Sequence, residues 1–396
     1  GGRPAMNLPH ASLFAQLLDL IPRAKFDTLV RQFKAEADAK GFSSWDQFVA
    51  MLFCQLGRAH SLREITMGLS SALGKMVHLG MVEAPKRSTL SYANKHRPWE
   101  LYPAIFKVVL EQAQDLARQK GKSKFHFKNP LYSLDATVID LCVEAFDWAK
   151  FRRTKGAVKL HMVLDHEGHL PTFAHITDGK THEVKMAQHL NLPSGAIVAM
   201  DRGYNDYSLF ASWCEQKIFF VTRMKDNAVY EVVESQPVPE GRNILADEII
   251  VLSGTGSIEK CPHVLRRIVV WDEQNKRELV LLSNISKFSA TTIARIYKAR
   301  WQIELFFKAL KQNLKVKTFV GTTANALKTQ IWTALIAMLM LKILQLKSTF
   351  GWSLSNLVAI LRMNLFTYRD LWKWIDEPFT TLPRMPMVEQ LELNFG

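Results

Sequence analysis

Between residue 7 and about residue 120, apolar positions recur at the three- and four-residue spacing of helices that bury one face. Ser44-x-x-Gln47 and Ser61-x-x-Glu64 have the form of capping boxes that open WDQFVAMLFCQL and LREITMGLSSAL. A turn at Pro85 leads into KRSTLSYANKHR, a short helix expected to be capped by Ser88 and to stop before Pro98. At Leu131 the period changes from helix to strand. LYSLDATVIDLC is one strand, and AVKLHMVLDHEG with HLPTFAHITDG forms a hairpin around Asp165 to Gly168. A helix through Glu183 to His189 follows. AIVAM, an unbroken apolar run, reads as a strand covered on both faces; DYSLFASWCEQK is a helix capped by Asp206, and IFFVTRMK a further strand. Pro237, Pro239 and Gly241 mark a break, after which ADEIIVLSG, HVLRRIVVWD and RELVLLSN fit a small antiparallel unit. Thr291 to Lys317 contains no Gly or Pro and reads as one helix, with more helix beyond it. The predicted organisation is an all-α segment 1–120, an α/β core in two parts (121–225 and 288–345), a β insertion 226–287 and a helical tail 346–396.

Composition narrows what such a chain does. Its 396 residues are 48% apolar, enough for two or three cores. A net charge of +14 and a pI near 9.5 point to a polyanionic partner, nucleic acid before membrane. Cys54, Cys142, Cys214 and Cys261 lie far apart with no CxxC pair, which speaks against a disulfide framework or a zinc site and fits a reducing cytoplasm. The run Ile331 to Leu341 is too short to span a bilayer and is expected to be a buried helix. No signal peptide is visible, and Gly1 to Ala5 reads as a tail ahead of a start at Met6.

The Thr291 to Lys317 stretch carries the most chemistry. Seven of its residues are Lys or Arg, and Glu304 is its one acid. On an unbroken helix Tyr297, Arg300, Glu304 and Lys311 fall within an arc of about 60°, so one carboxylate sits among cations; a solvated face with a structural ion pair would look the same. Trp301 reads first as core and otherwise as a base-stacking residue. Upstream, Asp135 and Asp140 share a strand and point to opposite faces, so only one can join Glu304. Asp201 ends the AIVAM strand, and Asp206 competes with it unless it serves as a cap. Lys155 and Lys159 are expected on the same basic surface. Lys86, Arg87, Lys95 and Arg97 surround short polar residues on the Pro85–Pro98 helix, as on a helix that enters a DNA groove.

The spacing Tyr-x2-Arg-x3-Glu-x6-Lys, read at Tyr297, Arg300, Glu304 and Lys311, resembles the signature of one group of bacterial insertion-sequence DDE transposases, the IS-four family. DRGY at Asp201 is similar to that family's wording after the fourth core strand. The resemblance covers roughly Leu131 to Lys317. It implies an α/β fold with a ribonuclease H-like mixed sheet and a β insertion before the Glu helix; outside its reach, the residues themselves read as an all-α N-terminal DNA-binding domain and a helical, aromatic- and Leu-rich C-terminal region that could pack on the core or on a second subunit. It also implies Asp135, Asp201 and Glu304 as ligands of two Mg²⁺ ions, for which Mn²⁺ substitutes. Tyr297, Arg300 and Lys311 would then hold DNA phosphates, and Trp271 would stack on a flipped base. The partners implied are double-stranded DNA, as terminal inverted repeats and target, and a second copy of the chain, in a bacterial cytoplasm. The activity implied is cut-and-paste transposition through a hairpin. The alternatives are a ribonuclease H-like nuclease that does not join strands, and a transposase-derived DNA-binding protein.

Overall fold

The computed structural model describes residues 11–383, apart from 38, 122, 123, 143, 153 and 154. Residues 1–10 and 384–396, which include Met6 and the preceding tail, lie outside the described part. The chain gathers into two compact units, one formed by residues 1–116 with 309–396 and the other by 117–308.

The first unit is helical. Ser43, one residue earlier than expected, caps Ser44–Leu56, and the reciprocal partner is Asp46 because Gln47 turns inward to Asn94. Ser61 caps Leu62–Ser71 as expected. The basic helix runs Arg87–His96 with no side-chain cap, so Ser88 falls inside its first turn. The Ile331–Leu341 run lies within a longer helix, Ala324–Lys347, which by length and composition could cross a membrane but is largely buried. It packs on Ser44–Leu56. Gln55 and Gln330 hold the chain beside it: Gln55 Oε1 accepts from the Lys315 amide at 2.7 Å, and Gln330 Nε2 donates to the carbonyls of Lys315 and Thr318 at 2.9 and 2.8 Å. Each is a buried amide matched by backbone groups that would otherwise lack partners.

The second unit is organised by one sheet of ten strands: β1 (Leu131–Leu141), β2 (Lys150–Arg152), β3 (Lys155–Asp165), β4 (Leu170–Asp178), β5 (Ile197–Met200), β6 (Phe219–Arg223), β7 (Tyr230–Ser235), β8 (Ile244–Leu252), β9 (Leu265–Asp272) and β10 (Arg277–Ser283). β3 lies antiparallel between β4 and β1, whereas β5 and β6 run parallel to β1 in the order β4-β3-β1-β5-β6. This mixed order, with helices on the crossovers, is the ribonuclease H-like arrangement that the resemblance implied. Asp206 caps Tyr207–Glu215 by accepting from the Leu209 amide at 2.9 Å.

The inserted strands are hydrogen-bonded into the same sheet. β10 pairs antiparallel with β6, and β9, β8 and β7 follow outward. Inside this extension Arg266 and Asp247, only 9% and 5% exposed, form a bidentate pair at 2.8 and 2.7 Å. The remaining Arg266 nitrogen donates to the carbonyls of Phe288 and Ile285 at 2.5 and 3.3 Å, fixing the loop that enters helix Ala290–Ala299. Breaking such a pair strands a charge away from water. Asp247→Ala should therefore lower stability in urea titration by about 3–5 kcal/mol, and the double variant Asp247→Ala with Arg266→Met should recover much of it.

Candidate active site

The register of the parallel strands builds the site. Leu131 pairs with Ile197, Ser133 with Ala199 and Leu134 with Met200, while Ile197 pairs with Phe219 and Ala199 with Val221. Carried forward, that alignment sets Asp135, Asp201 and Arg223 side by side across β1, β5 and β6, with neighbouring backbones about 4.8 Å apart. All three share the parity of Leu131, Ile197, Ala199 and Val221, which are buried under Ile293 and Ile296. The apolar rows of that face thus end in a polar row. Asp140 has the other parity and is exposed, so Asp135 is the β1 aspartate that shares this face.

The helix over this face is divided. Ala290–Ala299 and Trp301–Asn313 meet at Arg300, where an unbroken helix was expected. The backbone stays right-handed there, but the Arg300 amide bonds to Tyr297 and the Ile303 amide to Arg300, one residue shorter than α-helical spacing. Arg300 reaches down to Asp135 Oδ2 at 2.9 Å and across to Glu304 Oε1 at 2.5 Å. Its guanidinium carbon lies 5.7 Å from the Tyr297 ring centre.

The electrostatics show the crowding. Burial pushes the Asp135 carboxyl up to about 6; Arg300 and the Ala136 amide oppose the rise, and Asp201 and Glu304 add to it. Burial also raises the Tyr297 hydroxyl, with Arg300 and Arg223 opposing and Asp201 assisting. Burial works against the Arg300 charge, but Tyr297, Asp135 and Glu304 outweigh it and hold the group up.

The turn after Asp201 is tied down. Asn205, nearly buried, donates to the Arg223 carbonyl at 2.7 Å and accepts from the buried Thr222 hydroxyl at 2.8 Å. Tyr204 is buried 3.4 Å from His161 Nδ1, and His161 Nε2 lies 2.9 Å from Thr177. Arg223, Asn205 and His161 were not singled out in the sequence. The detectable signal was Arg223 closing the strand beside AIVAM.

Other candidates fall elsewhere. Lys311 is half-buried two turns beyond Glu304 on the same helix. Trp301, expected in the core, is 56% exposed. Trp271 sits on β9 towards the same end of the sheet as Arg223, and its amide bonds to Asn243. Lys159 faces Val138 across β1, on the opposite side of the sheet from Asp135, and donates to Thr181. Lys155 opens β3, and its side chain is outside the described part. Lys86, Arg87 and Lys95 are exposed around the Arg87–His96 helix. Arg97 instead turns to the Phe42 carbonyl and ring.

Carboxylate oxygens from Asp135, Asp201 and Glu304 form a hard donor set, suited to Mg²⁺ or Mn²⁺. Asp201 and Glu304 each raise Asp135, though less than burial does, and a bound cation would relieve that repulsion. As they stand, among the described residues no three such side chains are gathered tightly enough to hold an ion, and Arg300 occupies the space between two of them.

Comparison with known proteins places these residues in context. The family profile of a Transposase DDE domain matches residues 126–340, and that of a domain of unknown function matches 9–82. The chain is 30% identical over 319 residues to a protein of Sinorhizobium fredii with a provisional transposase name, covering 79% of this chain and 87% of that one. It is 29% identical to a transposase assigned to insertion sequence element IS5377 of Geobacillus stearothermophilus, over 64% of this chain and 66% of the relative. A third, from Synechocystis and assigned to element IS4SA, is 25% identical over 73% and 81%. Among solved structures, the piggyBac transposase synaptic complex with hairpin DNA aligns with 98% of this chain and 85% of its own, at 8% identity and a TM-score of 0.46.

Arg300→Gln leaves the carboxylates without their counter-ion. In chelator-treated protein it should cost about 2 kcal/mol at pH 8, less than a fully buried pair because the site is partly exposed. Asp135 titrates higher in the folded chain than when unfolded, so its ionisation costs the fold stability as pH rises through about 6. Below that value the carboxyl is largely neutral, and the loss at pH 5 should be smaller. Equal losses in thermal melts at both pH values would remove Asp135 from the account.

Proposed function

The chain belongs to the Transposase DDE domain family, and from that premise we propose that it excises and inserts an insertion sequence by metal-dependent phosphodiester hydrolysis and strand transfer. The observation that carries the reading is the polar row of Asp135, Asp201 and Arg223 beneath Arg300 and Glu304. A carboxylate set crossed by cations suits a reaction in which a phosphate must be held against metal-binding acids. Asp135, Asp201 and Glu304 would hold a pair of Mg²⁺ ions, or Mn²⁺ in their place, and when bound these supply activation of the attacking oxygen and stabilisation of the leaving one.

The remaining work falls to the protein's own groups. Arg300 can exchange its carboxylate partners for a phosphate, to which its flat fork is equally suited. Tyr297 offers a hydroxyl or a ring at the same place, and Lys311 a point charge further along the helix. Trp301, exposed beside Arg300, is available to stack on a base, and Trp271 is the second such candidate. Water attack at the transposon end would free a 3′ hydroxyl. That hydroxyl would close a hairpin, a second water would open it, and the end would then attack target DNA. Two ends require two active sites, hence a homodimer on paired terminal repeats. The helical segment with the exposed Lys86, Arg87 and Lys95 would recognise those ends.

The experiment is to incubate the protein with its flanking terminal-repeat DNA and Mg²⁺ and resolve nicks, hairpins and joined strands on denaturing gels. Asp135→Ala, Asp201→Ala and Glu304→Ala should each abolish cleavage, by at least about a thousandfold, while end binding persists. Nicks without joined product would instead identify a nuclease. Removing Lys86, Arg87 or Lys95 should weaken end binding and lower its salt dependence by about one counter-ion per phosphate contact, as read by anisotropy. Unchanged slopes would place end recognition on another surface.

A further inference from the structure

A cleft of about 400 Å³ opens beside the turn that follows Asp201, lined by Arg202, Gly203, Lys225, Asp226 and Asn227. None of these residues belongs to the carboxylate site, yet Arg202 is the next residue after Asp201 and Lys225 lies two beyond Arg223. The cleft therefore sits at the carboxyl ends of β5 and β6, where the parallel strands deliver the site residues.

Its floor is rigid. Lys225 Nζ donates to the Asn205 carbonyl at 3.1 Å, and the Asn205 side chain is locked to Thr222 and Arg223. Gly203 adds no side chain, leaving room for a ligand to approach the backbone. The cleft holds two cations and one carboxylate. Arg202 Nη1 contacts Asp226 Oδ2 at 3.0 Å, but the two side chains are 45% and 88% exposed. So open an ion pair contributes little and exchanges readily. A phosphate would offer Arg202 two oxygens in fork geometry and Lys225 a second anionic contact, which Asp226 does not provide.

We propose that this cleft is a subsite for a backbone phosphate of DNA held at the neighbouring carboxylate site. Arg202 and Lys225 grip it, and Asp226 is a resident competitor that yields Arg202 when DNA arrives. The inference rests on the DNA-transposase reading above and adds to it a second phosphate contact and a residue that opposes binding.

The sign of the Asp226 effect gives the test its edge. Fluorescence anisotropy with a duplex of arbitrary sequence, titrated across salt concentrations, compares the full chain with Arg202→Gln, Lys225→Gln, Lys225→Arg and Asp226→Asn. Arg202→Gln and Lys225→Gln should each weaken binding about tenfold and lower the slope of log affinity against log salt by about 0.9. Lys225→Arg keeps the charge and should bind nearly as the parent does, which separates phosphate contact from a loosened turn. Asp226→Asn should tighten binding several-fold. Addition of inorganic phosphate at matched ionic strength should leave the differences between variants intact; if it erases them, the cleft takes free phosphate rather than DNA. Parent-like affinity and slope in Arg202→Gln and Lys225→Gln, or weaker binding by Asp226→Asn, would overturn the subsite while leaving the transposase reading standing. A parent chain that fails to bind DNA at all would bring down both.

Discussion

Three carboxylates gathered at the end of an apolar face set the electrostatic problem that the second unit has to solve. Strand alternation buries Leu131, Ile197, Ala199 and Val221 under Ile293 and Ile296, and the same alternation then delivers Asp135 and Asp201 to the same side of the sheet. Two carboxylates there and a third from the helix above repel one another, and the repulsion grows as water is excluded. Arg300 makes the arrangement tenable by contacting two of them at once. Burial and charge pairing together set the state of the site, on a frame that packing supplies.

That frame is fixed from three directions. Asn205 ties the Asp201 turn to β6, and Tyr204 reaches from that turn to the buried His161 on β3. Arg266 secures the loop before Ala290–Ala299 with its own backbone bonds. Each of these devices acts on a segment that carries one of the acids or its counter-ion, and so limits how far those groups can shift.

Much of this was legible in the chain. An acid inside a β-branched run, as at Asp135, is rare enough to notice, and AIVAM ending at Asp201 marks a buried strand delivering a carboxylate. The spacing around Glu304 supplied the third acid. What the sequence hid depends on register and on partners distant in the chain. An arginine closing a strand is commonplace, so Arg223 became visible only once Val221 was aligned with Ala199. Trp301 looked like core because apolar residues surround it in sequence, although it faces outward. The tightening at Arg300 could not be read from a stretch free of Gly and Pro, and Ser43 rather than Ser44 caps its helix because Gln47 is drawn to Asn94. Asp135 and Asp140 were separable in principle by alternation, but the choice between them required the neighbouring strand.

The way the inserted strands are attached has a consequence for how such a chain can change. The excursion leaves from β6 and returns through β10, which lies directly beside it and joins it through Val221, Thr222 and Arg223 opposite Ser283, Leu282 and Leu281. Departure and return points are thus neighbours, as in a cassette spliced between two adjacent terminals. Strands can be added to or trimmed from the far side, at β7, without altering the span that the core must bridge. Asp201 and Glu304 are distant along the polypeptide, yet that length puts no slack into their placement.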